Sequence, residues 1–387
     1  MVHVTQKNKN QPMQNKKIWI FGILTGFIFS ASASYVVLAY TTPNVSFSRT
    51  ANATQTAIAG TSTDITRSAT TTTARTPLDT IAYDKKMLAI ANYPPRVVAI
   101  STATSSHATS TPMHHSWPVH TAYPLAGALL PFNRIVAYYG NFYSKGMGVL
   151  GQYPESVMLA KLASTTALWE RADPSTPVIP AIHYIVATAQ GNPQKDHTYR
   201  LQMPDSQIDY ALKLADKIHG IVFLDVQIGL STLPREIPEL EKYLKLPNVH
   251  LGIDPEFAMH GGAKPGTVIG SMDAKDVNYV SHYLAKLVQD NNLPPKILVI
   301  HRFTQPMITH YKSIETLPEV QIVMDMDGWG TQAKKIGTYT NIVALEPVQF
   351  TGFKLFYHND TLPPSTGMLS PAQVLKLSPQ PMYIQYQ

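Results

Sequence analysis

Val249-His-Leu-Gly-Ile-Asp-Pro-Glu-Phe-Ala258 begins as an apolar run of strand type and ends on two carboxylates, Asp254 and Glu256. On a strand, side chains two apart point to the same side, which predicts that both acids face one space. Pro255 between them restricts Asp254 to extended backbone and removes a ladder donor, as suits the frayed end of a strand. The pattern recurs. Ile221–Gly229 closes on Asp225 and Gln227, Lys296–Phe303 on His301, and Val320–Trp329 on Asp325 and Asp327. Parallel strands that each deliver titratable groups at the same end bring them to one mouth.

Working outward, strand patterns occupy Arg134–Gly140, Val178–Val186, Ile221–Ile228, Val249–Phe257, Lys296–Phe303, Val320–Gly328, Gly352–Tyr357 and Met382–Tyr386. Between them helix patterns are expected at about 154–171, 204–219, 234–245, 273–290, 304–314 and 331–339, with a short one at 370–377. The clearest starts at Asp273, an N-cap with Asp276 in the first turn, followed by Val277, Val280, Leu284, Leu287 and Val288 on one face. Pro154, Pro204 and Pro234 stand where a first-turn proline opens a helix. Strands alternating with helices imply right-handed crossovers and a parallel sheet, and eight of them imply closure. The expected fold is an α/β (βα)8 TIM-type barrel over residues 131–387 without a clear eighth helix. The segment before Pro131 is expected to cover that gap or the barrel floor.

Residues 1–17 are polar and basic and read as a cytoplasmic tail. Ile18 to Tyr40 then runs 23 residues without a charge. A helix of that length spans roughly 34 Å, enough to cross a bilayer. Ala31-Ser-Ala33 also fits a signal-peptidase site, but Tyr35-Val-Val-Leu-Ala-Tyr40 continues the apolar run beyond it, which favours an uncleaved transmembrane anchor. Residues 41–130 read as a Ser/Thr/Pro-rich linker with short ordered patches. The stretch from Thr41 to about Thr80 has too little apolar surface to fold and reads as a disordered tether. His107, His114, His115 and His120 fall in this linker at spacings that fit no metal site.

Composition narrows the function. The formal charge of +6 is concentrated before residue 81, where seven Lys and Arg face two Asp, leaving the rest near neutral. No basic stripe remains to track phosphates, so no nucleic-acid partner is expected. The absence of cysteine excludes disulfides, thiolate metal sites and a cysteine nucleophile. No Gly-rich phosphate turn and no serine elbow are present, and neither a cofactor nor a metal is expected. Protein partners are not legible.

The barrel mouth would collect Tyr139, Asn141, His183, Asp225, Gln227, Asp254, Glu256, His301, Asp325, Asp327, Trp329, Lys354, Tyr357 and Gln385. Buried charges in such number are costly unless paired or used, and Asp325 with Lys354 is the expected structural pair. Tyrosine and tryptophan beside carboxylates suit the stacking of sugar rings.

Arg134-Ile-Val-Ala-Tyr-Tyr-Gly, Phe223-Leu-Asp-Val-Gln-Ile-Gly, Asp254-Pro-Glu-Phe-Ala-Met, Gly270-Ser-Met-Asp-Ala and Val348-Gln-Phe-Thr-Gly-Phe-Lys-Leu-Phe-Tyr resemble a family of uncharacterised exported bacterial barrel proteins. Gly252-Ile-Asp-Pro-Glu-Phe257 is similar to the end of the fourth-strand motif of chitinase-like family 18 glycosidases. That likeness implies Glu256 as general acid and Asp254 as the group that orients a substrate acetamido. The upstream acids of that motif are missing from Val249 to Leu251, and Gln385 stands near the tryptophan expected on the eighth strand.

Together these point to a membrane-tethered, extracytoplasmic barrel hydrolase acting on a glycan or cell-wall polymer. Glu256 is the expected general acid, with Asp254, Asp225 or Asp327 orienting substrate or stabilising a cationic centre. The remaining mouth residues would bind substrate. Two other readings stand: a metal-dependent hydrolase using Asp225, Asp254, Glu256, His301, Asp325 and Asp327, or a non-catalytic glycan-binding barrel. Lys16 and Lys17 before the apolar run predict a cytoplasmic N-terminus and an outside barrel. Protease added to intact cells should therefore degrade the barrel, and protection until lysis would refute this orientation.

Overall fold

A computed structural model describes residues 75–93 and 116–387. The expected anchor and most of the expected linker lie outside the described residues, and among the described residues no helix is long and apolar enough to cross a membrane. Eight parallel strands run β1 (Arg134–Gly140), β2 (Val178–Ala189), β3 (Ile221–Val226), β4 (Val249–Ile253), β5 (Lys296–Arg302), β6 (Val320–Met326), β7 (Phe350–Leu355) and β8 (Tyr383–Tyr386). Each pairs with its sequence neighbour, and β8 returns to β1 with Ile135 opposite Tyr383 and Tyr138 opposite Tyr386. The barrel is closed, as the eight apolar runs imply. A short strand, Arg200–Gln202, adds antiparallel to the end of β2.

The longer helices among the described residues are α1 (Thr80–Ala91), α2 (Glu155–Ala172), α3 (Asp205–Lys217), α4 (Ala274–Asp290) and α5 (Gln332–Thr338). α4 opens with a capping box: Asp273 accepts from Lys275 N, and Asp276 accepts from Asp273 N at 2.8 Å. Pro154 and Pro204 sit one position before their helices, in extended backbone, whereas Pro234 lies inside the first turn. The helix expected over 234–245 breaks into the turns Leu233–Glu236, Pro238–Leu240 and Glu241–Leu244, because Pro238 cannot donate to the turn before it. The helix expected over 304–314 does not form. Pro306 again removes a donor, and His310 adopts a left-handed φ of 54°, leaving two short turns around Ile308–Thr309.

α1 lies within the span read as linker. Its Tyr83, Met87 and Ile90 pack with Ile135, Ala137, Ile221, Phe223, Val299 and Phe350, the inward residues at the amino ends of the strands. The segment before Pro131 thus closes the barrel floor, one of the two places expected for it. Hydrogen bonds that tie α1 down include those from Gln380 N to Ile90 O at 2.6 Å, from Ser378 Oγ to Ala91 O at 2.7 Å and from Asn92 Nδ2 to Leu377 O at 2.8 Å. Gln321, inside β6, accepts from Leu129 N and Leu130 N and donates to Leu130 O, pinning the chain that enters β1.

Outward residues such as Val136, Ile182, Leu224, Leu251 and Ile300 pack beneath the helices. Inward ones change character along the strand, from the apolar floor to Tyr139, His183, Asp225, His301, Asp325 and Lys354 above it. Two inward positions, Gly252 on β4 and Gly352 on β7, carry no side chain. A β-carbon at Gly252 would come within 2.3 Å of Asp225 Oδ1 and 2.6 Å of His183 Nε2, and one at Gly352 within 2.5 Å of Asp325 Oδ1. These glycines make the room that the buried polar layer occupies. Gly252→Ala should cost about 1–3 kcal/mol through overpacking. Its denaturant midpoint should fall at unchanged slope, and an unchanged midpoint would show that the polar layer yields.

Candidate active site

The upper barrel holds two levels of polar side chains. The outer level borders an open cavity of about 740 Å³ whose floor carries Tyr139, Gln227, Asp254, Glu256, Asp327 and Lys354. Phe303, Trp329 and Phe356 stand along its walls.

The strand expected through Phe257 ends at Ile253, and Pro255–Phe257 is a single tight turn. Asp254 caps that turn, its Oδ1 accepting from Glu256 N at 3.0 Å. The two acids meet in one cavity through this turn rather than by strand alternation, since Pro255 supplies no ladder donor. Asp254 Oδ2 accepts from Gln227 Nε2 at 3.2 Å, and Gln227 Oε1 accepts from Ala189 N at 3.1 Å. Among the described residues the Glu256 side chain has no ion-pair or hydrogen-bond partner.

The inner level is enclosed. His301 sits at its centre, with Nε2 3.3 Å from Asp225 Oδ1 and Nδ1 3.4 Å from Asp325 Oδ2 and 3.3 Å from Asp327 Oδ2. His183 Nε2 also faces Asp225 Oδ1, at 3.4 Å. Tyr139 donates to the other oxygen of Asp225 at 2.9 Å, linking the two levels. Behind His183, Nδ1 lies 2.5 Å from the Tyr383 hydroxyl, and Gln385 Nε2 donates to that hydroxyl at 2.8 Å. Lys354 Nζ binds Asp327 Oδ1 at 3.0 Å and stands 3.9 Å above the Tyr139 ring. It was expected to pair with Asp325. Asp327 lies two residues farther toward the mouth and takes it instead.

These contacts displace the titrations in opposite directions. Burial pushes Glu256 up to about 8, helped by repulsion from Asp254 and Asp327. Burial likewise carries Asp254 to about 7, although His301 opposes it. For Asp327 burial acts upward too, but Lys354 and His301 outweigh it and hold the carboxyl below the ordinary range. Asp225 is held well down by His301 and His183 against its own burial. His301 is raised well above an ordinary histidine, because Asp225 and its neighbours overcome desolvation, whereas burial lowers His183 to about 4.

Of the residues singled out in sequence, Tyr139, Gln227, Asp254, Glu256, Asp327, Trp329 and Lys354 reach the cavity. His183, Asp225, His301, Asp325 and Gln385 are fully buried beneath it. Asn141 and Tyr357 join neither level. Asn141 donates to Ile185 O and accepts from Tyr143 N, fixing the turn after β1, while Tyr357 bonds the Tyr138 hydroxyl and stacks on Tyr386. Tyr383 was missed, though it precedes Gln385 by two on the same strand face. Among the described residues His183, Asp225 and His301 bring three ligand-type atoms within 4.8 Å of one another.

No family model matches the chain and no curated protein does, so neither resemblance seen in the sequence gains support there. Solved structures that it resembles include a GH5-4 broad specificity endoglucanase from Clostridium longisporum, at 11% identity over 57% of this chain and 75% of that one, with a TM-score of 0.31. Another is Thermotoga maritima Cel5A in complex with cellobiose, at 6% identity over 66% and 88%, with a TM-score of 0.32.

Lys354→Met should leave Asp327 to His301 alone. Stripping one partner from a buried ion pair costs about 3–5 kcal/mol, and the denaturation midpoint should fall accordingly. No change would mean that His301 alone balances Asp327.

Proposed function

We propose that the barrel is a glycan-cleaving hydrolase in which Glu256 is the general acid and Asp327 the anionic partner. What carries this reading is the opposite displacement of two carboxyls that border the same open cavity. Glu256 keeps its proton to about pH 8, and Asp327 loses its proton below the usual carboxylate range. Carboxyls whose environments push them apart in this way divide into acid and base roles. The freedom of the Glu256 carboxyl from any structural pair supports the same reading, as do the flat faces of Tyr139 and Trp329, which suit sugar rings.

In this scheme the Glu256 proton passes to the glycosidic oxygen as the bond to the anomeric carbon breaks. The Asp327 carboxylate faces the cationic centre that develops. Asp254, carried up to about 7, stands beside Glu256, and its ionised form discourages the ionisation of Glu256. Water completes the reaction, giving its proton to the Glu256 carboxylate. Asp225 has no access to substrate and acts through Tyr139. The basic tail and the apolar run Ile18 to Tyr40 support a tethered enzyme with its barrel outside the cytoplasm, where wall polymers are the available glycans.

Glu256→Gln keeps the shape but removes the proton, and should lower kcat about a hundred- to ten-thousand-fold on whichever β-glucan or N-acetylhexosamine polymer the parent cleaves. The parent's rate should fall as pH rises through about 8. The linkage has a definite sign. Between the unfolded value near 4.5 and about 8 the folded chain holds the extra proton, so Glu256 costs stability increasingly as pH rises. The variant should therefore melt no lower than the parent at pH 8. An active variant that melts lower would refute the catalytic role.

A further inference from the structure

We propose that His183 Nε2, Asp225 Oδ1 and His301 Nε2 form a binding site for one divalent first-row metal ion, zinc being the best match, enclosed in the barrel beneath the cavity. This departs from the expectation that the chain binds no metal, and it does not rest on the role of Glu256.

The first ground is that the three atoms converge and nothing satisfies them. All three are fully buried, and none has a hydrogen-bond partner. Buried polar atoms are almost always satisfied, so three orphans within 4.8 Å of one another require an explanation. A proton shared among them is a poor one. Charge-assisted N–H···O bonds run about 2.7–2.9 Å. The separations here are 3.4 Å from His183 and 3.3 Å from His301.

The second ground is that those separations suit a metal. Zinc bonds to imidazole nitrogen and carboxylate oxygen are about 2.0–2.2 Å in tetrahedral sites, which sets neighbouring ligand atoms about 3.3–3.5 Å apart. Octahedral ligands at the same bond lengths would stand nearer 3 Å. Two imidazoles and one carboxylate, with no thiolate, form a borderline-hard set appropriate to zinc.

The third ground is the outer nitrogens. A ligating histidine almost always engages its other ring nitrogen with a carboxylate or similar group, which fixes tautomer and ring angle. His183 Nδ1 lies 2.5 Å from the Tyr383 hydroxyl, whereas His301 Nδ1 stands 3.3–3.4 Å from Asp327 and Asp325, facing both carboxylates without a hydrogen bond to either. The second oxygen of Asp225 is held by Tyr139. His183 and Asp225 are thus held from behind by a hydrogen bond, and the outer nitrogen of His301 faces two carboxylates. Gly252 belongs to the same arrangement, because a side chain there would strike two of the ligand atoms. The ligands come from β2, β3 and β5, so the site exists only once the barrel has closed.

The test uses the full chain, purified without added metal. Elemental analysis should find one zinc or other first-row ion per chain. After stripping with a chelator, added ZnCl2 should restore that stoichiometry and raise the melting temperature. His183→Gln and Asp225→Asn should each reduce the bound ion to below about a tenth of the parent's. His282→Ala, which alters an exposed His–Glu pair, should leave it unchanged. Should the buried variants fail to fold, X-ray absorption on the unmodified chain must still report nitrogen and oxygen ligands with two imidazoles. A chain that carries only trace metal and gains no stability from ZnCl2 would overturn the proposal. So would an ion that leaves with His282→Ala, which would mark it as adventitious.

Discussion

Everything above the barrel floor depends on holding Asp225, Asp325 and Asp327 close together around one imidazole and one ammonium. Burying an unpaired carboxylate costs several kcal/mol, so such a group survives only where cations and donors are built in with it. His301 faces all three acids, and Lys354 takes the outermost. The remaining strands accommodate that arrangement. Gly252 and Gly352 give up their side chains to it, Tyr139 and Tyr383 supply hydroxyls, and the floor beneath is mainly apolar, with Gln321 and His250 as its polar members. α1 keeps water from reaching the layer from below.

The fold was legible because a parallel barrel writes a simple pattern. Its strands are buried on both faces, so each reads as an unbroken apolar run, and each run here ends in a polar group near the mouth. What the pattern does not encode is the local veto of a single residue. Pro238 and Pro306 sit inside stretches whose apolar spacing is helical, and the missing amide donors broke both. α1 was obscured for a different reason. Its ordering comes from Tyr83, Met87 and Ile90 docking on the floor, a tertiary gain that a Thr-rich neighbourhood conceals.

The candidate site was legible as a set and not as two levels. Alternation along a strand tells which residues point inward, and that brought His183, Asp225, His301 and Asp325 together with Asp254 and Glu256. Depth along the barrel axis depends on strand tilt and register, which no single run reveals. Hence Asp325 and Asp327, two residues apart on one face, fall on opposite sides of the boundary between enclosure and cavity. Lys354 bonds the upper one for the same reason. Tyr357 was misjudged by one position, since it belongs to the alternation that faces the helices, where it stacks on Tyr386.

The two levels are coupled electrostatically, and that coupling gives the barrel a way to set the acidity of its own cavity. Glu256 is protonated because it is desolvated and faces Asp254 and Asp327, while His301 and Lys354 pull the other way. A divalent ion among His183, Asp225 and His301 replaces a proton with a larger charge, adding positive potential directly below. In a medium of low polarity that potential is weakly screened, so the ion would favour ionisation of Asp254 and Glu256. Filling the inner site would therefore lower the pH at which Glu256 gives up its proton, without any contact between the ion and Glu256. The position of that limit is then a property of the whole polar stack, set by how many positive charges the lower level carries.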